Sequence, residues 1–474
     1  MKDRIISASL TCLVFVSSWT FAAHAQLLPD IGDTLDGPIT DTIERSIDET
    51  VDETLSDVVD DVTDGAIDAL VSDALDPLVT SADIGAALDG TLDLTDDAIA
   101  AIRRLEPSLS TTREIDVTLE NGLPVMRNEW VLIAPTEKAA QIEGLSLTVL
   151  ERSDLLASED TMFVVKFVGD KEETQALEKT LKALGGQVFD RNHVYRKASD
   201  NTDAQAGDPQ LQPSSYTQAP GTAVKLGLID TDIDETHPDF AGISLSERDF
   251  VPYGDLRPLK HGTAVASIIT RQIQGLALNE QPAILAASVF FVSEDGTTGA
   301  SSSSIISAID WLAANDVNVL NISLTGPPNE AVEAYIANMQ ARGIVFVAAV
   351  GNEGPASGPL YPAAYDGVIG VTAVNSSGSI YRWANRGPYV DIAALGVNVE
   401  VATPGGAHGR NSGTSFAAPI VSAFLACGGY GTSRQASLSP EDWLAPIIKG
   451  DVVAGRDEII GMGILDPASL QRDF

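Results

Sequence analysis

The sequence predicts an α/β fold: a parallel sheet with helices on both faces, preceded by a small α+β domain and an acidic N-terminal region. The first observation is that continuous apolar runs alternate with helix-period runs over the second half of the chain. Such alternation is typical of a parallel sheet that is buried on both faces. The second is the length of 474 residues, which exceeds the roughly 250–300 residues at which a single core stops growing. We therefore expect several domains.

The parallel sheet is predicted within residues 222–474. Its apolar runs are as long as buried strands, and the runs between them have the spacing of helices. The predicted strands are Ala223–Ile229, Ile284–Phe290, Val317–Ile322, Ile344–Val350 and Val368–Val374. The predicted helices are Ala264–Ile273, Ser302–Ala314 and Asn329–Ala341. In such a sheet, functional groups gather at the carboxyl ends of the strands.

The N-terminal region has the features of an exported protein. A short basic start, an apolar run and a final Ala-x-Ala pattern predict a signal peptide over residues 1–25. Residues 26–125 are rich in Asp and are expected to form an acidic pro-region, partly helical or disordered; a helix that docks its apolar stripe is the alternative. The net charge of −38 argues against nucleic acid or an anionic membrane as a partner. We expect a secreted or periplasmic protein with no membrane attachment after signal cleavage.

Residues 126–196 predict the small α+β domain. Strand patterns and one helix pattern follow each other over this stretch. The strands are Trp130–Ala134, Leu145–Leu150, Met162–Phe167 and Gln187–Tyr195, and the helix is Glu172–Leu184. Residues 197–221 are rich in Ser, Gln, Asp, Pro and Gly, which predicts an exposed linker and a site for proteolytic cleavage.

Three short motifs supply residue types that hydrolyse amides. Asp230 ends the first predicted strand of the last domain, His261 opens a helix, and Ser415 lies where a loop enters another helix. A serine nucleophile needs a base to deprotonate it and an acid to hold that base. Asn352 follows a buried strand and offers a side-chain N–H beside the backbone N–H of Ser415. Each motif alone is common, but their joint occurrence in the order Asp, His, Asn, Ser is specific.

With these motifs in this order, the last domain resembles the subtilase family of serine proteases. Four further segments agree with the family: His237–Asp239, Asn321–Leu324, Tyr361–Ala363 and Gly461–Leu465. The resemblance implies peptide hydrolysis through an acyl-enzyme, with protein or peptide substrates. It implies a catalytic triad of Asp230, His261 and Ser415 and an oxyanion hole that includes Asn352. It also implies that substrate is bound by Ser323, Leu324, Thr325 and Gly351, the first two pairing with extended substrate backbone.

The small α+β domain resembles the propeptide domain that many subtilases carry before the catalytic domain. In the family, that domain assists folding and then inhibits the enzyme by laying its C-terminal segment in the active site. The resemblance therefore implies a zymogen, with the protein's own propeptide as an inhibitory partner and maturation between Lys197 and Gly221. A permanently attached regulatory or targeting domain is the alternative.

The sequence departs from the family at several positions. Asp232 and Ala264 replace a glycine and a second histidine. We expect Asp232 to cap the next turn; a stronger negative field beside Asp230 is the alternative. Thr325 replaces a pocket glycine, which predicts a narrowed pocket and a preference for small residues before the scissile bond. The stretch Thr270–Gly275 is short where many relatives bind calcium, so that site is expected to be absent. No cofactor or metal ligand is predicted, although calcium at another site stays open.

The remaining histidines and the cysteine carry weaker signals. His237 is interpreted as structural, His193 as a strand residue, and His408 as part of a flexible loop beside the cleft. Cys427 is interpreted as a buried small hydrophobe. The rival hypothesis for the whole chain is a catalytically inactive subtilase-fold protein that binds or regulates. It is disfavoured because every triad residue type is present.

Overall fold

The computed structural model describes residues 113–145, 147–186, 188–198, 224–254, 256–274, 281–293, 296–427, 444, 448 and 457–465. The predicted signal peptide, the acidic pro-region up to residue 112 and the linker from residue 199 to 221 lie outside the described residues. So does residue 275, the end of the shortened calcium loop. The chain divides into residues 1–110 and 111–474, and all described residues belong to the second unit. Among them, no helix is long and apolar enough to cross a membrane.

The described residues form strands and helices that alternate along most of the chain. The strands are β1 (Val117–Glu120), β2 (Leu123–Pro135), β3 (Thr148–Leu155), β4 (Asp160–Lys166), β5 (Val188–Lys197), β6 (Lys225–Asp230), β7 (Ser244–Asp249), β8 (Ala283–Ser288), β9 (Phe290–Val292), β10 (Thr298–Ser301), β11 (Val319–Ile322), β12 (Leu324–Thr325), β13 (Val345–Ala349), β14 (Ile369–Val374), β15 (Ile392–Leu395), β16 (Val399–Thr403) and β17 (Ala407–Asn411). The helices are α1 (Ala139–Glu143), α2 (Lys171–Ala183), α3 (Lys260–Ile273), α4 (Ser302–Ala314), α5 (Glu330–Ala341) and α6 (Thr414–Cys427).

The central layer is a parallel sheet in the order β15-β14-β13-β11-β6-β8-β7. Successive side chains along a strand point to opposite faces of the sheet, and the inner strands β6, β11, β13 and β14 are buried on both faces. Leu226 and Leu228 of β6 pack in one hydrophobic cluster with α3 and α6. Ile229 of the same strand packs in the other cluster, with α4 and α5. The predicted parallel sheet with helices on both faces is confirmed.

The first part of the described chain forms an antiparallel sheet in the order β3-β4-β2-β5, with β1 beside β2. Helix α2 begins at a capping box, in which the Asp170 side chain accepts from Glu173 N and the Glu173 side chain accepts from Asp170 N. The antiparallel sheet starts upstream of residue 126, because β1 and the beginning of β2 lie within the stretch that the sequence assigned to the acidic region. The hairpin signal was present but overlooked: Val117, Leu119, Leu123 and Val125 alternate with other residues on the two sides of Asn121-Gly122.

The last strand of the antiparallel sheet also pairs with two short strands from the α/β region. Tyr195 of β5 lies opposite Ala300 of β10. Two residues further on, Lys197 lies opposite Leu324 of β12. Strand β5 therefore runs to residue 197, two residues beyond its predicted end. The extension depends on partners far away in sequence, which no local pattern reveals.

Hydrogen bonds to two carboxylates also join the antiparallel sheet to helices α4 and α5 of the α/β region. Asp310 of α4 accepts hydrogen bonds from Leu156 N at 2.9 Å and Ala157 N at 2.8 Å in the turn after β3. The Asp190 carboxylate accepts from Glu330 N at 2.7 Å, at the first residue of α5. An anion at a helix N-terminus satisfies a backbone N–H that has no intrahelical acceptor and is favoured by the helix dipole.

Gly262 in α3 marks a close approach between this helix and the chain that follows β6. A Cβ at this position would lie 2.2 Å from Thr231 O and 2.7 Å from Asp232 O. We predict that Gly262→Ala lowers the midpoint of thermal unfolding by roughly 5 °C, because overpacking costs about 1–3 kcal/mol. The matched control is Gly358→Ala, where a Cβ meets nothing within 4 Å. Equal midpoints for the two variants would contradict the prediction.

Candidate active site

The site is built around a buried pair of side chains at the carboxyl end of β6. Asp230 is the last residue of that strand, and His261 is the second residue of α3. His261 Nδ1 lies 2.7 Å from Asp230 Oδ1, and each side chain is only 1% exposed. Because the carboxylate accepts, Nδ1 carries the hydrogen of a neutral imidazole and Nε2 keeps the lone pair. This tautomer suits a general base.

Thr231 holds the pair in place from both sides. Its backbone N–H donates to Asp230 Oδ1 at 2.7 Å, and its hydroxyl accepts from Gly262 N at 2.7 Å. The first bond orients the carboxylate, and the second ties the start of α3 to the end of β6. The residues that directly follow Asp230 and His261 therefore fix the distance between β6 and α3.

Ser415 lies in the first turn of α6 and is fully buried. Its carbonyl accepts a hydrogen bond from Ser323 Oγ at 3.0 Å, while its own Oγ makes no hydrogen bond among the described residues. The next residue, Phe416, has its ring centroid 5.6 Å from that of His261, which places α6 and α3 side by side. Catalytic hydrogen bonds are often long before substrate is fully engaged.

Asn352 and Ser415 face a common small space. Asn352 Oδ1 accepts from Thr414 N at 2.9 Å, which assigns the other amide atom as Nδ2. A Cβ built on Gly413 would lie 2.9 Å from Asn352 Nδ2 and 3.3 Å from Ser415 Oγ. Glycine at position 413 thus keeps open a volume that an N–H donor and a hydroxyl both reach. An oxyanion hole needs this arrangement of donor and nucleophile.

The four predicted substrate-binding residues occupy two places. Ser323, Leu324 and Thr325 are buried beside β5, and the last two form β12. Gly351 lies instead against α6, where its N–H donates to Thr414 Oγ1 at 3.2 Å. Its φ of 107° favours glycine, and a Cβ there would lie 2.6 Å from Leu360 Cδ1.

The end of β5 lies where an extended peptide would meet this site. Thr325 stands opposite Arg196 and Leu324 opposite Lys197, so continuing the register puts Ala198 beside Ser323. Ala198 is 2% exposed and packs in the same hydrophobic cluster as Phe416. The resemblance to the propeptide domain implied that the C-terminal segment of the small domain lies in the active site. It did not give the register with β12, because the pairing joins residues more than a hundred positions apart.

Tyr195 anchors the same strand in a closed pocket. The side chain is fully buried, and a Cβ at Gly326 would lie 2.3 Å from its ring. Burial raises the pKa of the Tyr195 hydroxyl well above its usual value, and the nearby Tyr365 hydroxyl adds to the shift. The absence of a side chain at position 326 is therefore what admits the aromatic ring.

Asp232 does not cap the next turn as predicted. Its carboxylate accepts from Ser288 Oγ on β8, while the backbone N–H of Ile233 is bound by Glu247 Oε1 at 3.0 Å. Burial raises the pKa of Asp232. Burial and the charge of Asp232 raise the pKa of Glu247 to about 8. The charge of Asp232, two residues after Asp230, thus makes the Glu247 carboxyl harder to ionise.

The other set-aside residues are also located. Cys427 is buried at the end of α6, and burial raises the pKa of its thiol to about 12. His193 lies in β5 as predicted, and burial lowers its pKa to about 4. The prediction for His408 is wrong: it lies in β17, where Nε2 is 2.9 Å from Asp239 Oδ1, and not in a flexible loop.

Known proteins are similar to this chain in sequence and in fold. A sequence model described as the subtilase family matches residues 221–463, about half of the chain. The chain belongs to the subtilase family. This subtilase is 30% identical to the thermophilic serine proteinase of Bacillus sp. (strain AK1) over 344 residues, which cover 67% of the chain and 82% of that protein. It is 34% identical to the alkaline protease of Shouchella clausii over 341 residues, covering 68% of the chain and 81% of that protein.

Other relatives match a shorter part of the subtilase. Subtilisin E of Bacillus subtilis (strain 168) is 35% identical over 241 residues, which span 48% of the chain and 60% of that protein. Among solved structures, fervidolysin from Fervidobacterium pennivorans, described as a keratinolytic enzyme related to subtilisin, aligns with a TM-score of 0.57. That alignment covers 77% of the chain and 64% of fervidolysin at 18% identity, so it supports the fold alone.

Glu247 gives this subtilase a pH-dependent stability. Its pKa rises from 4.5 to about 8 on folding, so between these values the folded state holds a proton that the unfolded state has released. The free energy of unfolding therefore falls as the pH rises through this window. We predict that Glu247→Gln, in a Ser415→Ala background, raises the unfolding midpoint by a few degrees at pH 9 and leaves it unchanged at pH 4.

The control is Glu353→Gln, which removes an exposed carboxylate. Thermal scans from pH 4 to 9 provide the measurement. A constant difference between Glu247→Gln and its parent over the whole range would contradict the assigned shift.

Proposed function

We propose that this subtilase is an exported serine endopeptidase that hydrolyses peptide bonds through Asp230, His261 and Ser415. The observation that carries the proposal is the space at Gly413, which Asn352 Nδ2 and Ser415 Oγ both border. A scissile carbonyl placed there meets a nucleophile and an N–H donor together. The base is His261, whose Nδ1 lies 2.7 Å from Oδ1 of the buried Asp230.

The chemistry proceeds in two transfers. Ser415 Oγ attacks the carbonyl carbon while His261 Nε2 takes its proton, and Asp230 stabilises the imidazolium that forms. The oxyanion accepts hydrogen bonds from Asn352 Nδ2 and Ser415 N. His261 then gives the proton to the leaving amine, and the acyl-enzyme remains. Water repeats the sequence and releases the acid.

Burial strengthens each electrostatic part of this mechanism. The Asp230 and His261 side chains are each 1% exposed, and Asn352 is 6% exposed. Attraction between the carboxylate and the imidazolium is greater in a low-dielectric site than in water. The donors are fixed by the N-terminus of α6 and by the end of β13, so little reorganisation is needed when charge develops.

The protein is made as a zymogen in this proposal, and the bond cut first is Ala198–Ser199. The pairing of β5 with β12 supports it, because Ala198 then precedes the scissile bond beside Ser323 and Ser415. A small residue at this position agrees with the pocket narrowed by Thr325. After cleavage, β5 stays in the site through its pairing and through Tyr195, and the antiparallel domain inhibits the enzyme as a product.

Substrates in this proposal are proteins or peptides that add a strand to β12. Backbone pairing of this kind gives affinity with little dependence on sequence, while pockets select side chains. The signal peptide directs the protein to the periplasm or out of the cell. The net charge of −38 disfavours nucleic acid as a partner.

Replacement of the nucleophile gives the decisive comparison. We predict that purified wild-type protein, incubated overnight, yields two fragments separated after Ala198, while Ser415→Ala keeps one intact mass. Intact-mass spectrometry measures both, with the exposed-loop variant Ser377→Ala as a control that processes normally. If Ser415→Ala is cut after Ala198 at the wild-type rate, Ser415 is not the nucleophile. If neither protein is cut, a permanently attached regulatory domain is favoured. A fluorophosphonate probe, which reacts only with an activated serine, then separates an active enzyme from the inactive, binding form of the fold.

Removal of the Asn352 amide, the proposed oxyanion donor, is expected to slow catalysis less than removal of the nucleophile. We predict that Asn352→Ala lowers kcat on a peptide substrate by about 10²–10³ with little change in KM, because the bond forms only in the transition state. Loss of its bond to Thr414 N is monitored by the thermal midpoint. A change confined to KM would show that Asn352 binds substrate and does not stabilise the oxyanion.

A further inference from the structure

Three side chains outside the catalytic site converge at one end of the β16–β17 hairpin. We call His237, Asp239 and His408 the His–Asp–His cluster. His408 Nε2 lies 2.9 Å from Asp239 Oδ1, and His237 Nδ1 lies 3.7 Å from the same oxygen. One ligand atom from each residue lies within 4.8 Å of the other two. The sequence did not predict this set, because about 170 residues separate His237 from His408.

The donor atoms suit a transition metal and not calcium. Two imidazole nitrogens and one carboxylate oxygen are ligands of Zn²⁺, whereas Ca²⁺ takes six or more oxygens. Ligand atoms about 2.0–2.2 Å from a tetrahedral Zn²⁺ are roughly 3.3–3.5 Å from one another. The two distances to Asp239 Oδ1, 2.9 and 3.7 Å, bracket this range. The two imidazole nitrogens lie within 4.8 Å of each other, and side-chain rotation on zinc binding sets their final separation.

The surroundings orient two of the three ligands. His237 Nε2 lies 2.9 Å from Ala407 O, so Nε2 carries the hydrogen and Nδ1 keeps its lone pair on the side of Asp239. Arg271 Nη2 holds Asp239 Oδ2 at 2.9 Å, and the other carboxylate oxygen faces the histidines. A ring N–H bound to a carbonyl and a hydrogen-bonded carboxylate are the usual supports of metal ligands.

We propose that the His–Asp–His cluster binds one Zn²⁺ ion through His237 Nδ1, Asp239 Oδ1 and His408 Nε2, with water at the fourth position. The His408 side chain is 42% exposed and provides access from solvent, while that of His237 is fully buried. Binding displaces one weak contact, the 3.2 Å hydrogen bond from Asp239 N to His237 Nδ1. It also replaces the hydrogen bond between His408 and Asp239.

The ion is a structural cross-link in this proposal. It joins the 3-10 turn Pro238–Phe240 to β17, and β17 leads directly into the loop before Ser415. Arg271 belongs to α3, which also carries His261, and it donates to Glu400 O of β16 at 2.6 Å. The site therefore stabilises the hairpin next to the catalytic elements without touching the reacting atoms.

Zinc binding by full-length Ser415→Ala protein tests the proposal. The protein is stripped with a chelator, dialysed and titrated with ZnCl₂ by calorimetry, and its thermal midpoint is measured with and without ZnCl₂. We expect one Zn²⁺ per chain and a higher midpoint with zinc. His408→Gln keeps a donor for Asp239 but lacks the imidazole, and is expected to bind at least tenfold more weakly.

Two control variants separate the cluster from other sites. Arg410→Ala changes an exposed residue of the same strand, and His261→Ala removes the catalytic imidazole; both are expected to bind zinc like the parent. The proposal is overturned if the parent binds no zinc, if His408→Gln binds as tightly as the parent, or if CaCl₂ raises the midpoint as much as ZnCl₂. In those cases the cluster is an ion-pair network, or its ion is not a transition metal.

Discussion

The hydrogen bond between His261 Nδ1 and Asp230 Oδ1 is the constraint on which the site depends. A carboxylate buried at the end of β6 is costly unless it is hydrogen-bonded. The His261 imidazole and Thr231 N both donate to Asp230 Oδ1. The bond can form only if α3 starts directly above the strand. Gly262 permits this approach, and the Thr231 hydroxyl holds it. Strand, helix and catalytic geometry are therefore a single arrangement.

Strand β5 is the second element that organises the molecule. It belongs to the antiparallel sheet through β2, and to the α/β region through β10 and β12. Asp190 and Asp310 add charge-assisted bonds at two helices of the α/β region. These contacts explain how an upstream domain is held over the edge of β12. They also explain why its own C-terminal residues occupy that edge.

Five of the seven strands of the parallel sheet could be predicted because each is a continuous apolar run. Edge strand β15 was missed, since it is only four residues long. Edge strand β7 was missed, since its sequence Ser244–Asp249 is mostly polar and its side chains are largely exposed. The triad was predicted from short motifs, and the structure brings Asp230 and His261 into contact. The resemblance implied that the end of the small domain lies in the active site, but the register of β5 with β12 and the approach of His237 to His408 were not predictable. They depend on tertiary packing, which leaves no local period in the sequence.

The rate of self-cleavage in Asp230→Asn tests most directly whether the Asp230–His261 hydrogen bond controls catalysis. An amide at position 230 keeps the side-chain shape but favours the wrong tautomer of His261 and removes the charge that stabilises its imidazolium. We predict that this variant is cleaved after Ala198 more slowly than wild type by a factor of about 10³–10⁴. Intact-mass spectrometry over time measures the rate. Cleavage of Asp230→Asn at the wild-type rate would contradict this prediction.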